Sequence, residues 1–254
     1  MINNQMKKVS LILTTFNCAE NLEKTLQSIE KQDYPNIEVI IKDGGSTDGT
    51  LGIIEKYLNK NSLNIIAKSQ KDSGIYDAMN QGYSMSSGDI IAFFNDVFIA
   101  KNAISKLVCA IEDADCNQHG ECVGVHADLV YCDGDKVIRK WKMGQGSIYQ
   151  GWMPGHPTLF LKRKVYEKYG LYDTSFKIAA DYEFMIRFLK DKENQLAYLP
   201  ETVISMFYGG ASSGGLKNYL HSLLEGHRAL KKNGIRFAWW VDFRRTVRVL
   251  LQFL

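Results

Sequence analysis

An α/β fold built on a mainly parallel central sheet, flanked by helices in the Rossmann-like manner, is predicted by three observations. Short apolar, β-rich runs alternate with segments of helical periodicity through the first half of the chain. Those runs are nearly continuous, the pattern of parallel strands covered by helices on both faces. Their C-terminal tips carry Thr14, Thr15, Asp43, Gly44, Gly45, Asp72, Asn95 and Asp96, a polar rim where ligands of such sheets bind.

VSLILTTFN, Val9 to Asn17, reads as the first strand. AENLEKTLQSIEKQ follows it with Leu22, Leu26 and Ile29 at helical spacing. IEVIIKD then precedes TDGTLGIIEKYLNK, LNIIAKS precedes GIYDAMNQGYSMSS, and DIIAFFN precedes AKNAISKLVCAIED. In the third helix Ile75, Ala78 and Met79 are expected to share one buried face. After about Cys116 the rhythm changes. CVGVHADLVYC and KVIRKWK read as meander strands, followed by the glycine-rich MGQGSIYQGWMPG, the strand LFLK and mixed helical segments. Acceptor recognition is expected in this second half.

Composition limits the function classes. With 254 residues, 45% hydrophobic and 23% charged, the chain can bury a large core and is neither disordered nor repetitive. A net charge of +3, with basic residues pooled only near the C-terminus, gives no electrostatic footprint for nucleic acid. The five cysteines form no CxxC and have no histidines at zinc spacing, so reduced thiols are expected. The apolar run from Val9 to Leu13 is too short for a signal peptide or a membrane span, and a cytoplasmic location is expected.

Two stretches carry candidate chemistry through their acidic strand tips. KDGGSTDGT, Lys42 to Thr50, joins a strand to a helix through a tight turn, with Ser46 or Thr47 as cap and Asp48 in the first turn. It lacks the lysine of a P-loop. An acidic side chain at the strand tip, Asp43, can accept hydrogen bonds from a base or from ribose hydroxyls. KDSGIYDAMNQG supplies a second strand-end carboxylate, Asp72.

LTTFN, DGGSTDGT, DSGIYDAMNQG and GDIIAFFND, joined later by AADYEFMIRF and FYGGASSG, resemble in order and spacing the family 2 glycosyltransferases with the GT-A fold, of the bacterial surface-polysaccharide type. The resemblance covers residues 1–215 and implies a nucleotide diphosphate sugar donor, an inverting transfer to a hydroxyl, and a divalent metal, Mg²⁺ or Mn²⁺. By that similarity Thr14 and Phe16 line the way in for the nucleotide, Asp43 contacts base or ribose, and Asp72 and Asn95 lie close to the nucleotide sugar. The metal element is shortened: relatives show N-x-D-D-V-[YF], whereas this chain has Phe94-Asn95-Asp96-Val97-Phe98. Aligned from the right, Asp96 is the metal carboxylate and Asn95 replaces its acidic neighbour; aligned from the left, the acidic pair is partly deleted. The first alignment is favoured because Mg²⁺ is held by one or two protein carboxylates together with substrate phosphates and waters. Asp181, in Ala179-Ala180-Asp181-Tyr182-Glu183, matches the catalytic base, and His156 in Gly155-His156-Pro157-Thr158 matches a histidine between donor and acceptor. FYGGASSG is expected to close over the diphosphate.

In residues 216–254 a helical tail is expected. Trp239, Phe243, Val247, Leu250 and Leu254 form one stripe beside Arg244, Arg245 and Arg248, as in a helix lying at a membrane interface. A lipid-linked glycan acceptor and peripheral attachment to the inner face of the membrane follow as expectations. Packing of the same stripe against protein, or in a homo-oligomer, is the alternative. Two rival functions remain at this stage: a sugar-nucleotide pyrophosphorylase, whose glycine- and lysine-rich N-terminal phosphate element VSLILTTFN lacks, and a degenerate relative that binds nucleotide without catalysis.

Overall fold

The first strand, β1 (Val9–Thr15), alternates two sets of apolar side chains, and that alternation divides the core. Val9, Leu11 and Leu13 enter one hydrophobic cluster, whereas Ile12 enters the other on the opposite sheet face. The computed structural model describes residues 6–117, 121–134, 136–191, 194–207 and 215–251. After β1 come α1 (Ala19–Glu30), β2 (Ile37–Asp43), α2 (Thr50–Lys60), β3 (Ile65–Ser69), α3 (Ile75–Met85) and β4 (Ile90–Phe93). These four strands are parallel in the order β3-β2-β1-β4, as the continuous apolar runs predict. Leu22, Leu26 and Ile29 form the buried face of α1. On α3 the expected face shifts by one residue: Ile75 is 47% exposed, and Tyr76 is buried with Ala78 and Met79.

The second half extends the sheet with mixed polarity. β5 (Val97–Phe98) and α4 (Ala103–Asn117) lead into β6 (Glu121–Asp133), β7 (Lys136–Trp141), β8 (Phe160–Lys162), α5 (Arg163–Tyr169), α6 (Ala180–Leu189) and β9 (Asn194–Phe207). The β6–β7 hairpin and β8 stand where strands are expected. β9 occupies a segment read only as mixed helical, and it pairs in parallel with β6 along most of its length. The full order is β3-β2-β1-β4-β8-β6-β9-β5, with β7 on β6. β8 runs antiparallel to both β4 and β6, so it joins the parallel half to the second half.

The tail is not an appendage. α7 (Gly215–Lys232) and α8 (Ala238–Leu251) place Ala229, Leu230, Ile235, Ala238 and Val241 in the same cluster as Ala180, Tyr182 and Phe184 of α6. These tail residues thus pack in one cluster with α6. Among the described residues no helix is long and apolar enough to cross a membrane.

One core position carries a cost. His126 on β6 is fully buried, stacked on Tyr198 at 5.0 Å and edge-on to Trp152 at 5.2 Å. Neither ring nitrogen has a hydrogen-bond partner among the described residues, and burial pushes its pKa down to about 4. The unfolded chain takes up this proton near the ordinary histidine pKa while the fold refuses it. The fold is thus penalised progressively as pH falls from about 6.5 towards 4.

Candidate active site

A cleft of about 1210 Å³ opens at the C-terminal ends of β1 and β4 and is walled by α3, α6 and α8. Thr14, Phe16, Gly44, Asp72, Asn95, Asp96, His156 and Asp181 all line it. Residues drawn from positions 14 to 96 converge because parallel strands deliver their tips to one edge, and the turn before β8 and the start of α6 add His156 and Asp181.

At the tips of β1 and β4, Asn95 is locked to Thr14. Its Oδ1 accepts from the Thr14 amide at 3.1 Å and its Nδ2 donates to Thr14 Oγ1 at 3.1 Å. Both ends of the amide are thereby occupied. Phe16 is 65% exposed, leaving an aromatic face free at the cleft wall. Asp72 Oδ2 receives Nζ of the fully buried Lys42 at 3.2 Å, and Asp72 Oδ1 accepts from the Gly74 amide at 3.1 Å.

Asp43 departs from expectation, because it lies beneath the cleft and is fully buried. Its oxygens accept from Thr15 Oγ1, the Gly45 and Ser46 amides, Ser46 Oγ and Ser69 Oγ at 2.5–3.0 Å. Despite the opposing effect of burial, these donors hold its pKa down at about 2. With these donors around it, Asp43 shapes the turn beneath the cleft. The turn presents Gly44 to the cleft instead, where a Cβ would stand 2.9 Å from Asp72 Oδ2 and 3.3 Å from Phe16. Gly45 takes φ +88°, a left-handed conformation that favours glycine.

Asp96 has the opposite environment. It is 9% exposed, and Oδ1 accepts one long bond from the Phe207 amide at 3.3 Å. Burial pushes its pKa up to about 7. Among the described residues no cationic side chain pairs with it, and no group of three or more His, Cys, Asp or Glu side chains gathers there or elsewhere. A lone desolvated carboxylate fits a divalent cation whose remaining ligands are phosphate oxygens and water. It does not fit an all-protein metal cage. The occupied amide of Asn95 leaves Asp96 as the single carboxylate of this element.

Asp181 stands in the first turn of α6, where the helix dipole favours negative charge. Its Oδ1 accepts from the Tyr182 amide at 2.8 Å and lies 3.1 Å from Tyr76 Oη, whose one proton is shared between Asp181 and the closer Ile178 carbonyl at 2.6 Å. Burial and the neighbouring Asp181 charge raise the Tyr76 pKa, so this phenol stays a donor. No described residue donates to Oδ2. The α6 start is itself held by Glu225 of α7, which accepts from the amides of Lys177, Ile178 and Ala179 at 2.8–3.1 Å. His156 lines the same cleft with Nε2 sharing a 2.9 Å hydrogen bond with Tyr172 Oη. Burial lowers its pKa, against a smaller opposing pull from Asp181.

Residues 10–170 match the family described as Glycosyl transferase family 2. The chain belongs to that family. It is a glycosyltransferase, and the GT-A architecture agrees. It is similar to a PGL/p-HBAD biosynthesis glycosyltransferase of Mycobacterium bovis, at 27% identity over 215 residues that cover 80% of this chain and 78% of the relative. In fold it is similar to residues 1–349 of TarS from S. aureus solved with UDP-GlcNAc, with TM-score 0.71, 20% identity and coverage of 90% of this chain and 66% of that one. The chain spans 39% of a longer TarS structure. A mannosyltransferase from Pyrobaculum calidifontis, solved with GDP-Man and Mn²⁺, shares the fold at TM-score 0.64 and 16% identity, covering 98% of this chain and 75% of that one.

Three contributors to this glycosyltransferase's cleft escape a reading of the sequence alone. Tyr76 looks like part of a solvated helix face, Glu225 like any helix glutamate, and Arg245 like one of a surface trio. Each acquires its role from a partner far along the chain: Asp181, the 177–179 backbone and Tyr182 respectively. Of the FYGGASSG loop, residues 208–214 lie outside the described residues, as do Leu254 and the side chain of Leu250.

Proposed function

We propose that this glycosyltransferase moves a sugar from a nucleotide diphosphate donor to an acceptor hydroxyl with inversion, as a step in surface glycan synthesis. The observation that carries the reading is the meeting of Asp96 and Asp181 in one cleft with Thr14, Phe16 and Asp72. The cleft is larger than a usual small-molecule pocket of roughly 300–1,000 Å³, which leaves room for donor and acceptor together.

In this mechanism Phe16 stacks on the base and Thr14, fixed by Asn95, borders the nucleotide. Asp181 Oδ2 takes the acceptor proton as the hydroxyl attacks the anomeric carbon. That carbon–oxygen bond forms as the bond to the diphosphate breaks on the opposite face. Tyr76 and the Tyr182 amide keep Oδ1 in place, and one base with a single displacement gives inversion. His156, kept neutral and oriented by Tyr172, borders the sugar. Asp96 would hold a Mg²⁺ or Mn²⁺, and when bound that ion supplies charge stabilisation to the leaving diphosphate.

Thermal unfolding across a panel of nucleotide diphosphate sugars, with and without Mn²⁺, tests the donor class. One of them is expected to raise Tm only in the presence of metal, since a ligand that binds the native state stabilises it by mass action. No shift with any donor would remove the nucleotide reading.

Attachment to an anionic membrane surface is favoured by a separate observation. Phe237, Trp239 and Phe243 are 71%, 64% and 56% exposed on α8 and the turn before it, with Val247 also exposed. Arg244 stacks over Trp240 at 5.1 Å, and Arg236 is exposed beside Phe237. Aromatic side chains flanked by guanidinium groups suit a lipid interface. Co-sedimentation with anionic vesicles should be salt-sensitive, each nearby basic residue adding on the order of 1 kcal/mol. A Trp239→Glu, Phe243→Glu double variant should be released. Equal binding by that variant would sink the reading, and a concentration-dependent dimer lost in the variant would assign the stripe to a second copy.

A further inference from the structure

α8 has two working faces, and the second one enters the cleft. Arg245, Arg248 and Val249 line the same cavity as Asp181, on the side opposite the exposed Trp239 and Phe243. The three arginines read from the sequence as one group are therefore split. Arg244 remains outside with Trp240, while Arg245 lies over the Tyr182 ring at 4.3 Å, one residue from Asp181.

The chain makes room for this arrangement. At Gly151 a Cβ would stand 2.5 Å from the Arg245 backbone nitrogen, and φ is +70°, so both space and conformation favour glycine there. At Gly226 of α7 a Cβ would meet the Arg245 guanidinium at 2.5 Å. Glycine in the interior of α7 weakens the helix, and here its missing side chain is the space Arg245 occupies.

Among the described residues the Arg245 guanidinium is met by the Tyr182 side chain and by one long ion pair. Its side chain is 18% exposed, and among the described residues its one ion pair, to Asp242 Oδ1, spans 3.6 Å. That oxygen is buried without a hydrogen bond, while Oδ2 is taken by His227 Nδ1 at 2.7 Å. Arg248 donates only a long bond from Nε to the Gln150 carbonyl at 3.3 Å among the described residues. Two guanidinium groups three positions apart on one helix lie on adjacent turns, and each retains donors suited to a tetrahedral oxyanion.

Resting on the glycosyltransferase reading above, we infer that the acceptor carries a phosphate-type anion and that Arg245 and Arg248 bind it beside Asp181. The assignment to acceptor and not donor follows from position. Asp181 takes the proton of the acceptor hydroxyl, and Arg245 adjoins the residue after it. The nucleotide-side residues Thr14, Gly44 and Asp72 come from the strand tips and the loop before α3. The phosphate that links a glycan to its lipid is such an anion. The exposed aromatic face of the same helix would then bring the cleft to the surface on which that acceptor resides.

The test uses the full chain and two probes with the same tail, octyl phosphate and uncharged octyl glucoside, below their micelle concentrations. Calorimetry should show octyl phosphate binding at least tenfold more tightly than octyl glucoside. Arg245→Gln and Arg248→Gln should each weaken octyl phosphate on the order of tenfold, the range for a lost charge-assisted hydrogen bond. UDP and GDP affinities in Mn²⁺ should stay within about twofold across the three proteins. Arg248→Gln, at an exposed position, keeps the test decisive should Arg245→Gln misfold. Equal binding of the two probes, unchanged octyl phosphate affinity in the variants, or its displacement by saturating nucleotide would each overturn the inference. Failure of the donor reading registers separately, as absence of nucleotide binding to the unaltered chain.

Discussion

Asp181→Asn is expected to lower sugar transfer by roughly two to four orders of magnitude, the range for loss of a general base. Nucleotide diphosphate sugar affinity should remain within a few-fold. The substitution is close to isosteric, and the amide oxygen can still accept from Tyr76 and from the Tyr182 backbone, so the start of α6 keeps its geometry. What it removes is the basic oxygen. Oδ2 receives no bond from the described residues, and in the variant an amide nitrogen that cannot accept a proton takes its place. Single-turnover transfer with saturating donor, paired with donor binding by calorimetry, separates the two effects. Transfer at the unaltered rate would take Asp181 out of the mechanism. A large loss of donor affinity would move it to the nucleotide side. Tyr76→Phe should give a much smaller loss, because that phenol orients the carboxylate and handles no proton.

The difference between what the sequence discloses and what it conceals has a physical basis in the range of the interactions. Val9–Thr15 and Ile37–Asp43 are legible as strands because parallel pairing buries them on both faces, which forces continuous apolar runs. β5 is only two residues long and exists through its pairing of Val97 with Ser205, and β9 is interrupted in sequence by Pro200 and Glu201. Their strand character comes from partners far along the chain, which no local periodicity reports. The site divides in the same way. Asp96 and Asp181 stand at element ends, where a carboxylate has a local signature. Asp43 shares that signature, yet five donors from β1, its own turn and Ser69 surround it. Position at a strand tip therefore identifies a candidate, and the hydrogen bonds around it decide whether it faces a ligand or the fold.

Asp96→Asn should both stabilise the metal-free protein and disable it. In EDTA, the buried Asp96 carboxyl titrates at about 7, well above an ordinary aspartate, because burial penalises its ionised form. A group with a raised folded-state pKa contributes its stability below the unfolded pKa near 3.8 and loses it as pH rises through the folded value of about 7. Asparagine does not titrate, so it escapes that loss. The Tm advantage of Asp96→Asn is accordingly smallest near pH 4 and reaches its plateau above pH 7, on the order of a few kcal/mol or about 5–10 °C. The acid penalty from His126 is common to both proteins and cancels in the difference. With Mn²⁺ and donor the order reverses. The unaltered chain gains a cation beside its carboxylate, whereas the variant loses metal-dependent donor affinity by roughly ten- to a hundredfold, the range for removing one charged contact. Equal Tm values at pH 8 in EDTA would show that Asp96 is not a strained charge. Undiminished Mn²⁺-dependent binding by the variant would show that the cation is held elsewhere, which is the outcome expected if the metal element is deleted in this chain and not shortened to a single carboxylate.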